Sequence, residues 1–131
     1  MRSRVIIISF AVIAVLALTI FGLTPPQPQR VEEVHIIMAD GSSEKYPEQE
    51  YFRPKDIVVV IGVNNTVVWT NMDFSEKNAH DVTSDDGLFY SGFMDPGESW
   101  SYTFEDPGGY AYNCGLHPEW MFGKVIVREA A

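Results

Sequence analysis

The pattern of apolar and polar positions after residue 30 is that of short strands separated by turns. Residues 99–104 alternate hydroxyl side chains with a tryptophan, a tyrosine and a phenylalanine, which is the period-2 pattern of a strand with one buried face. Turn residues bound this segment on both sides, at 95–97 and at 105–109, and a helix would not tolerate them. The segment is therefore predicted to be a β-strand.

Similar segments recur along the chain, each bounded by glycine, proline, asparagine or aspartate. They predict strands at 34–38, 57–63, 66–70, 110–114 and 124–128. Many short strands with turns between them are typical of a β-sandwich. We find no internal repeat and expect no helix in this part of the chain, so the predicted fold class is all-β.

The N-terminal segment has a different pattern. Arg2 and Arg4 precede 19 uncharged residues, Val5 to Leu23. A helix of that length would be about 28 Å long, close to the roughly 30 Å hydrocarbon core of a bilayer, and the arginines favour a cytoplasmic start. A cleaved signal peptide is the alternative, but its apolar stretch is usually only about 7–15 residues long. We expect a transmembrane anchor over 1–23, with the following domain on the extracytoplasmic side.

Residues 24–30 are rich in proline, and this composition predicts a stiff, extended spacer. The remaining residues, 31–131, are enough for one compact domain with a real core, given that 46% of the chain is hydrophobic.

The charge of the chain restricts its partners. The formal net charge is −9, and without Arg2 and Arg4 the rest of the chain carries seven basic and eighteen acidic residues, or −11. Such a surface argues against nucleic acid, because phosphates attract a basic face. A basic or neutral protein partner fits better.

The segment 112–123 carries the most informative chemistry. It presents Cys114, His117 and Met121 within eight residues, on what is predicted to be a loop between two strands. Such spacing lets a thiolate, an imidazole and a thioether face one point, and a second imidazole from elsewhere would complete the set. Two histidines, a cysteine and a weak axial methionine are the ligands of blue copper.

The second imidazole must come from His80 or His35. His80 follows the predicted strand that contains Trp69, whereas His35 lies within the first predicted strand, beside Ile36 and Ile37. We predict His80 as the ligand and expect His35 to be a partly buried strand histidine.

At this point the chain resembles the small cupredoxins of the plastocyanin, amicyanin and azurin group. The resemblance extends from about Phe52 to Val127. The matching phrases are Phe52-Arg53-Pro54, Val68 to Asp73, Ala79 to Val82, Pro96 to Ser99 and Cys114 to Gly123.

The resemblance implies a Greek-key β-sandwich with one mononuclear copper ion at one end. Copper would be bound by His80, Cys114 and His117, with Met121 in the axial position. The implied function is type 1 copper electron transfer on the outer face of a membrane, not enzymatic catalysis. A cytochrome or a membrane oxidoreductase complex would be the redox partner, with no small-molecule substrate, and the protein would be a monomer. His117 would lie at the solvent edge, in an apolar patch with Pro118, Trp120 and Phe122.

Two residues depart from the family pattern. Three residues separate His117 from Met121, which makes this loop intermediate in length within the family. If the inserted residue shifts the register of the loop, Glu119 would approach the copper as an alternative ligand and give a red-copper variant. Asp81 stands where many relatives carry a neutral hydrogen-bonding residue, and its carboxylate would stabilise Cu(II). A copper carrier or storage protein with the same ligands is a further alternative, and zinc would also accept thiolate and imidazole.

Overall fold

The computed structural model of the protein describes residues 30–75 and 78–131, which form eight β-strands and no helix. The strands are β1 (Glu33–Met38), β2 (Phe52–Arg53), β3 (Asp56–Val60), β4 (Thr66–Asn71), β5 (Thr83–Ser84), β6 (Ser99–Thr103), β7 (Gly108–Asn113) and β8 (Phe122–Arg128). They form two four-stranded sheets, ordered β2-β1-β4-β6 and β3-β8-β7-β5. The predicted all-β sandwich is confirmed.

The predicted membrane anchor, 1–23, lies outside the described residues, as does all of the proline-rich linker except Arg30. None of the segments that the structure describes is a helix able to span a bilayer.

The first sheet buries one face of each of its long strands. In β4, Val67 and Trp69 are fully buried while their neighbours are partly exposed, as period-2 alternation requires. β1 runs parallel to β4, with Ile36 beside Trp69. β6 is antiparallel to β4 and places Trp100 opposite Trp69. The alternation of apolar and polar residues in the sequence therefore corresponds to side chains that face the core and the surface in turn.

The second sheet holds the segment with the candidate ligands. β3 runs parallel to β8, and β7 and β8 form an antiparallel pair that ends where Asn113 faces Phe122. Residues 114–121 are consequently the loop that joins these two strands at one end of the sandwich. The predicted loop between strands is confirmed.

Aromatic side chains fill the space between the sheets. The Trp69 ring lies 5.6 Å from that of Trp100 and 5.5 Å from that of Tyr112, in an edge-on arrangement with the latter. Phe89 packs against Trp69, Trp100 and Phe104. Each fully buried side chain of this size contributes about 1.5–3 kcal/mol through loss of contact with water. These rings are packing residues of the core.

One predicted strand is too long. The segment 57–63 was expected to be extended throughout, but β3 ends at Val60 and a turn follows. Gly62 adopts a positive φ of 76°, and the Val60 amide donates a 2.7 Å hydrogen bond to the Asn64 side chain. The chain therefore reverses three residues earlier than the apolar pattern indicates.

Candidate metal centre

His80 is held rigidly within the sandwich. Its backbone exchanges two hydrogen bonds with Met94, of 3.1 Å and 2.8 Å, and its side chain is fully buried. His80 is thus fixed by an isolated β-bridge with Met94, close to the loop that carries the other candidate ligands.

The loop between β7 and β8 is fastened by its own backbone. The Cys114 amide donates to the Met121 carbonyl at 2.9 Å, and the amides of His117 and Met121 donate at 3.0 Å to the carbonyls of Cys114 and His117 respectively. Cys114 and Met121 are fully buried, whereas His117 is partly exposed. Every predicted ligand of the loop is therefore part of one hydrogen-bonded turn.

Three donor atoms converge at this end of the sandwich. The Cys114 Sγ lies 3.7 Å from the His80 Nδ1 and 3.8 Å from the His117 Nδ1, and the three atoms are all within 4.8 Å of one another. Metal bonds of about 2.1 Å to nitrogen and 2.3 Å to sulfur, meeting at roughly 120°, would separate the donors by about 3.8 Å. The spacing therefore fits one metal ion between them.

Two residues considered as alternative ligands lie elsewhere. His35 is on β1 with 64% of its side chain exposed, 3.9 Å from Glu33, so the expectation of a partly buried histidine was wrong; its side chain lies on the solvent face of the strand. Glu119 is exposed. Neither belongs to the donor cluster found among the described residues.

The Cys114 thiol is protonated more readily than usual before metal binds. Burial is the main cause that raises its pKa, and the negative charge of Asp81 adds to it, while backbone hydrogen bonds, including that of the Asp81 amide, act against it. That amide lies 3.5 Å from the Cys114 Sγ. Metal binding must therefore displace the thiol proton.

His117 and its neighbour Trp120 form the outer wall of the centre. Their ring centroids are 5.2 Å apart, and the Trp120 indole nitrogen donates a 3.0 Å hydrogen bond to the Ser42 carbonyl. Burial, and then the proximity of His80, lower the pKa of His117, which favours the neutral imidazole that binds metals.

Several exposed apolar side chains lie close to His117 in the sequence. Pro118 is exposed, and the exposed fractions of Leu116 and Phe122 are 49% and 44%. Leu116 was missing from the predicted patch, although its position beside His117 in the sequence could have indicated it. Lys55 places its ammonium group 4.2 Å from the Phe122 ring centroid.

Asp73 is a further part of the centre that sequence reasoning missed. Its Oδ2 lies 2.9 Å from the His80 Nε2, and both side chains are fully buried. Burial alone would raise the pKa of Asp73, but hydrogen bonds from His80, the Gly41 amide, Ser75 and Ser43 outweigh it and lower the pKa from 3.8 to about 2. Asp73 is therefore a carboxylate placed to accept a hydrogen bond from the His80 Nε2.

Comparison with known proteins identifies the same fold. The family profile described as cupredoxin-like domain matches residues 11–127. Amicyanin from Paracoccus denitrificans is 33% identical over 69 residues, which cover 51% of this chain and 52% of amicyanin. The chain thus spans about half the length of that curated relative.

Solved structures agree with this match. A purple cupredoxin from Nitrosopumilus maritimus superposes with a TM-score of 0.62 and 30% identity, covering 72% of this chain and 99% of that protein. The copper-containing nitrite reductase (NirK) from Thermus scotoductus SA-01 gives a TM-score of 0.59 and 29% identity over 76% of this chain, but over 23% of the reductase. The similarity therefore concerns one domain of the reductase.

Proposed function

The chain belongs to the cupredoxin-like domain family, and from that premise we propose that it is a type 1 copper protein that carries single electrons between redox partners. The observation that carries this proposal is the convergence of one thiol and two imidazole nitrogens within 4.8 Å. The cofactor is one copper ion. We assign His80, Cys114 and His117 as its main ligands and Met121 as the axial ligand, because this donor set is that of type 1 copper.

Copper bound in this site supplies one reversible electron, by alternating between Cu(II) and Cu(I). Cys114 binds as the thiolate after its proton has been displaced. His80 and His117 each direct Nδ1 towards the sulfur. Met121 contributes a weak thioether donor, which is the part of such sites that tunes the reduction potential.

The donors are held in place by hydrogen bonds of the protein's own backbone. His80 is fixed by its backbone pairing with Met94, and the backbones of Cys114, His117 and Met121 are hydrogen-bonded to one another. Ligands that keep their positions in both oxidation states need little rearrangement when an electron is gained or lost. This rigidity supports a role in rapid electron transfer.

Electrons enter and leave at the His117 edge. His80 and Cys114 are fully buried, whereas His117 is partly exposed and has apolar neighbours. Apolar side chains beside a partly exposed ligand let another redox protein approach the copper closely with little polar surface to desolvate. The acidic remainder of the domain would steer a basic partner at low ionic strength.

The partner and the location are also part of the proposal. Residues 1–23 would anchor the protein in a membrane, with the copper domain, 31–131, on the extracytoplasmic side. A cytochrome or a membrane oxidoreductase complex in the same membrane would exchange electrons with it, and the protein would act as a monomer. The anchor and its orientation are supported by the apolar run and by Arg2 and Arg4.

Catalysis is not part of the proposal. The nitrite reductase shares the fold, but this chain covers 23% of that enzyme. His80, Cys114, His117 and the buried Met121 would together hold the ion in a closed site, whereas a substrate needs an open coordination position.

The test is the optical and electron paramagnetic resonance spectrum of the full chain after one equivalent of Cu(II) is added. An intense band in the red that bleaches reversibly on reduction, together with a narrow copper hyperfine splitting, is the expected result. A colourless protein with an ordinary tetragonal spectrum would overturn the type 1 assignment. Rapid loss of copper to a chelator, without reversible reduction, would support a copper carrier instead.

A further inference from the structure

Asp73 has no role in the ligand set, yet it is a completely buried carboxylate. Burial of a charge is costly unless hydrogen bonds or an opposite charge compensate for it. No lysine or arginine among residues 30–75 and 78–131 forms an ion pair with it; its partner there is the His80 ring, 2.9 Å away. The burial of the Asp73 carboxylate must therefore be compensated by its hydrogen bonds.

The carboxylate receives four hydrogen bonds. Its Oδ1 accepts from the Gly41 amide at 2.9 Å and from Ser75 Oγ at 3.0 Å. Its Oδ2 accepts from Ser43 Oγ at 3.1 Å and faces the His80 Nε2 at 2.9 Å. The first three donors are neutral groups that fix the carboxylate, and the fourth is the ring of a metal ligand.

We propose that Asp73 is a positioning residue of the copper site, which fixes the His80 ring with Nδ1 towards Cys114 and makes this imidazole a stronger donor to Cu(II) than to Cu(I). The inference rests on the proposed function, since it assigns a role towards the same copper ion. A carboxylate that accepts the outer N–H of a metal-bound imidazole fixes the tautomer and raises the basicity of the ligand.

The sign of the effect follows from charge. The imidazole of His80 carries more positive charge when its Nδ1 binds Cu(II) than when it binds Cu(I). A negative carboxylate 2.9 Å from the other ring nitrogen therefore stabilises the oxidised state more. Asp73 lowers the reduction potential.

The segment 40–43 connects Asp73 to the other side of the centre. Gly41 and Ser43 bind the Asp73 carboxylate, and the Ser42 carbonyl accepts the hydrogen bond of Trp120, whose ring lies against His117. One short loop thus supports both histidines from outside, and this explains how Asp73 is held in place.

The test compares three variants of the full chain loaded with copper. Asp73→Asn keeps the shape but removes the charge. Loss of such an outer contact typically weakens metal binding by about 10–100-fold. With Cu(I) affinity unchanged, a tenfold loss of Cu(II) affinity raises the potential by about 59 mV. Asp40→Asn is the matched control, because Asp40 is an exposed carboxylate in the same loop whose contact is the Ser75 amide.

Ser43→Ala should move the potential in the opposite direction. It removes the neutral donor that shares Oδ2 with His80, so the oxygen becomes a stronger acceptor for the imidazole and the potential falls. Equal shifts of the reduction potential in Asp73→Asn and Asp40→Asn would mean that any lost negative charge has the same effect, and this would overturn the proposal. So would an unchanged potential in Asp73→Asn or a rise in Ser43→Ala. If Asp73→Asn does not fold, the direction of the Ser43→Ala shift decides alone.

A second measurement needs no copper. Nitrogen-15 NMR of the metal-free chain should show the His80 proton on Nε2, and Asp73→Asn should shift the ring towards a mixture of tautomers, with Asp40→Asn unchanged. A wild type with the proton on Nδ1 would contradict the positioning role. Because this readout is independent of copper, failure of the type 1 spectrum would refute the proposed function while the tautomer would still decide the role of Asp73.

Discussion

The carboxylate of Asp81 accepts a 2.8 Å hydrogen bond from the amide of Gly115, 34 positions later in the chain. This contact joins the segment that follows His80 to the loop that follows Cys114. Thr83 donates to the same oxygen at 2.8 Å, and a Cβ at Gly115 would approach Asp81 Oδ2 to 3.1 Å. Asp81 therefore ties the two loops together with a buried carboxylate.

Replacing Asp81 by asparagine should raise the reduction potential while copper remains bound. The amide oxygen can still accept from Gly115 and Thr83, but the negative charge that favours Cu(II) is lost. Spectroelectrochemistry of the copper-loaded chain measures the shift. Asp86→Asn, which removes an exposed carboxylate, should change the potential much less, because water screens it. An equal effect of both substitutions would contradict a specific role for Asp81.

Replacing Cys114 by serine should abolish the intense visible absorption, because the colour arises from the bond between copper and the thiolate and Cys114 is the only cysteine of the chain. His80→Gln should also disturb the spectrum, whereas the same change at the exposed His35 should leave it intact. Absorption spectra after copper addition provide the measurement. A blue Cys114→Ser protein would show that the ligand assignment is wrong.

Replacing Met121 by leucine should raise the potential and retain copper, since a weak axial donor is lost while the three strong donors stay. Glu119→Gln should have little effect, because Glu119 is exposed whereas Met121 is fully buried. Spectra and potentials of both variants are compared. If Glu119→Gln changes the spectrum and Met121→Leu does not, the axial ligand is Glu119.

The extent to which the fold could be predicted depends on the length of each strand. β4 and β6 alternate over five or six residues, which is enough for a period to be recognised. β2 and β5 have two residues each, so no periodic pattern exists to be read. The parallel pairings of β1 with β4 and of β3 with β8 join distant parts of the chain and leave no local signal.

The same distinction applies to the candidate site. Cys114, His117 and Met121 could be found because they lie on one loop, where sequence spacing is close to spatial spacing. His80 required the comparison of two histidines and a family resemblance. Asp73 could not be found, because Gly41 and Ser43, which orient its carboxylate, lie 32 and 30 positions before it. A buried outer contact becomes visible only when the sheets are assembled.

Tyr110 should ionise above the usual pKa of tyrosine, which is near 10. Burial, and then the negative charge of Asp106, raise its pKa, with smaller contributions from Tyr102 and Asp86. Above pH 10 the unfolded chain loses the Tyr110 proton while the folded state still retains it. The contribution of the protonated Tyr110 to the free energy of unfolding is therefore complete below pH 10 and is lost as the pH rises through the pKa of the folded state. Phenolate absorption is measured against pH for the wild type and for Tyr110→Phe, and the difference between the two curves gives the midpoint of the Tyr110 titration.

Asp106→Asn should lower that midpoint, because the Tyr110 hydroxyl keeps its 2.9 Å hydrogen bond to the backbone carbonyl of Asp106 and only the charge is removed. Asp40→Asn serves as the control, since Asp40 is not among the groups that raise this pKa. A midpoint at or below the usual value in the wild type would refute the predicted direction.

Gly123 should not tolerate a side chain, because backbone and ring atoms occupy the space. A Cβ there would lie 2.5 Å from both the Lys55 carbonyl oxygen and the Tyr112 hydroxyl. Gly123→Ala is therefore expected to reduce the free energy of unfolding by about 1–3 kcal/mol, the usual cost of overpacking. At Gly109 the new atom would meet only the Lys124 side chain, at 3.1 Å, which can rotate away. Denaturant unfolding of the metal-free variants should show a clear loss of stability for Gly123→Ala and little for Gly109→Ala. A loss for Gly123→Ala no larger than that for Gly109→Ala would contradict the predicted clash.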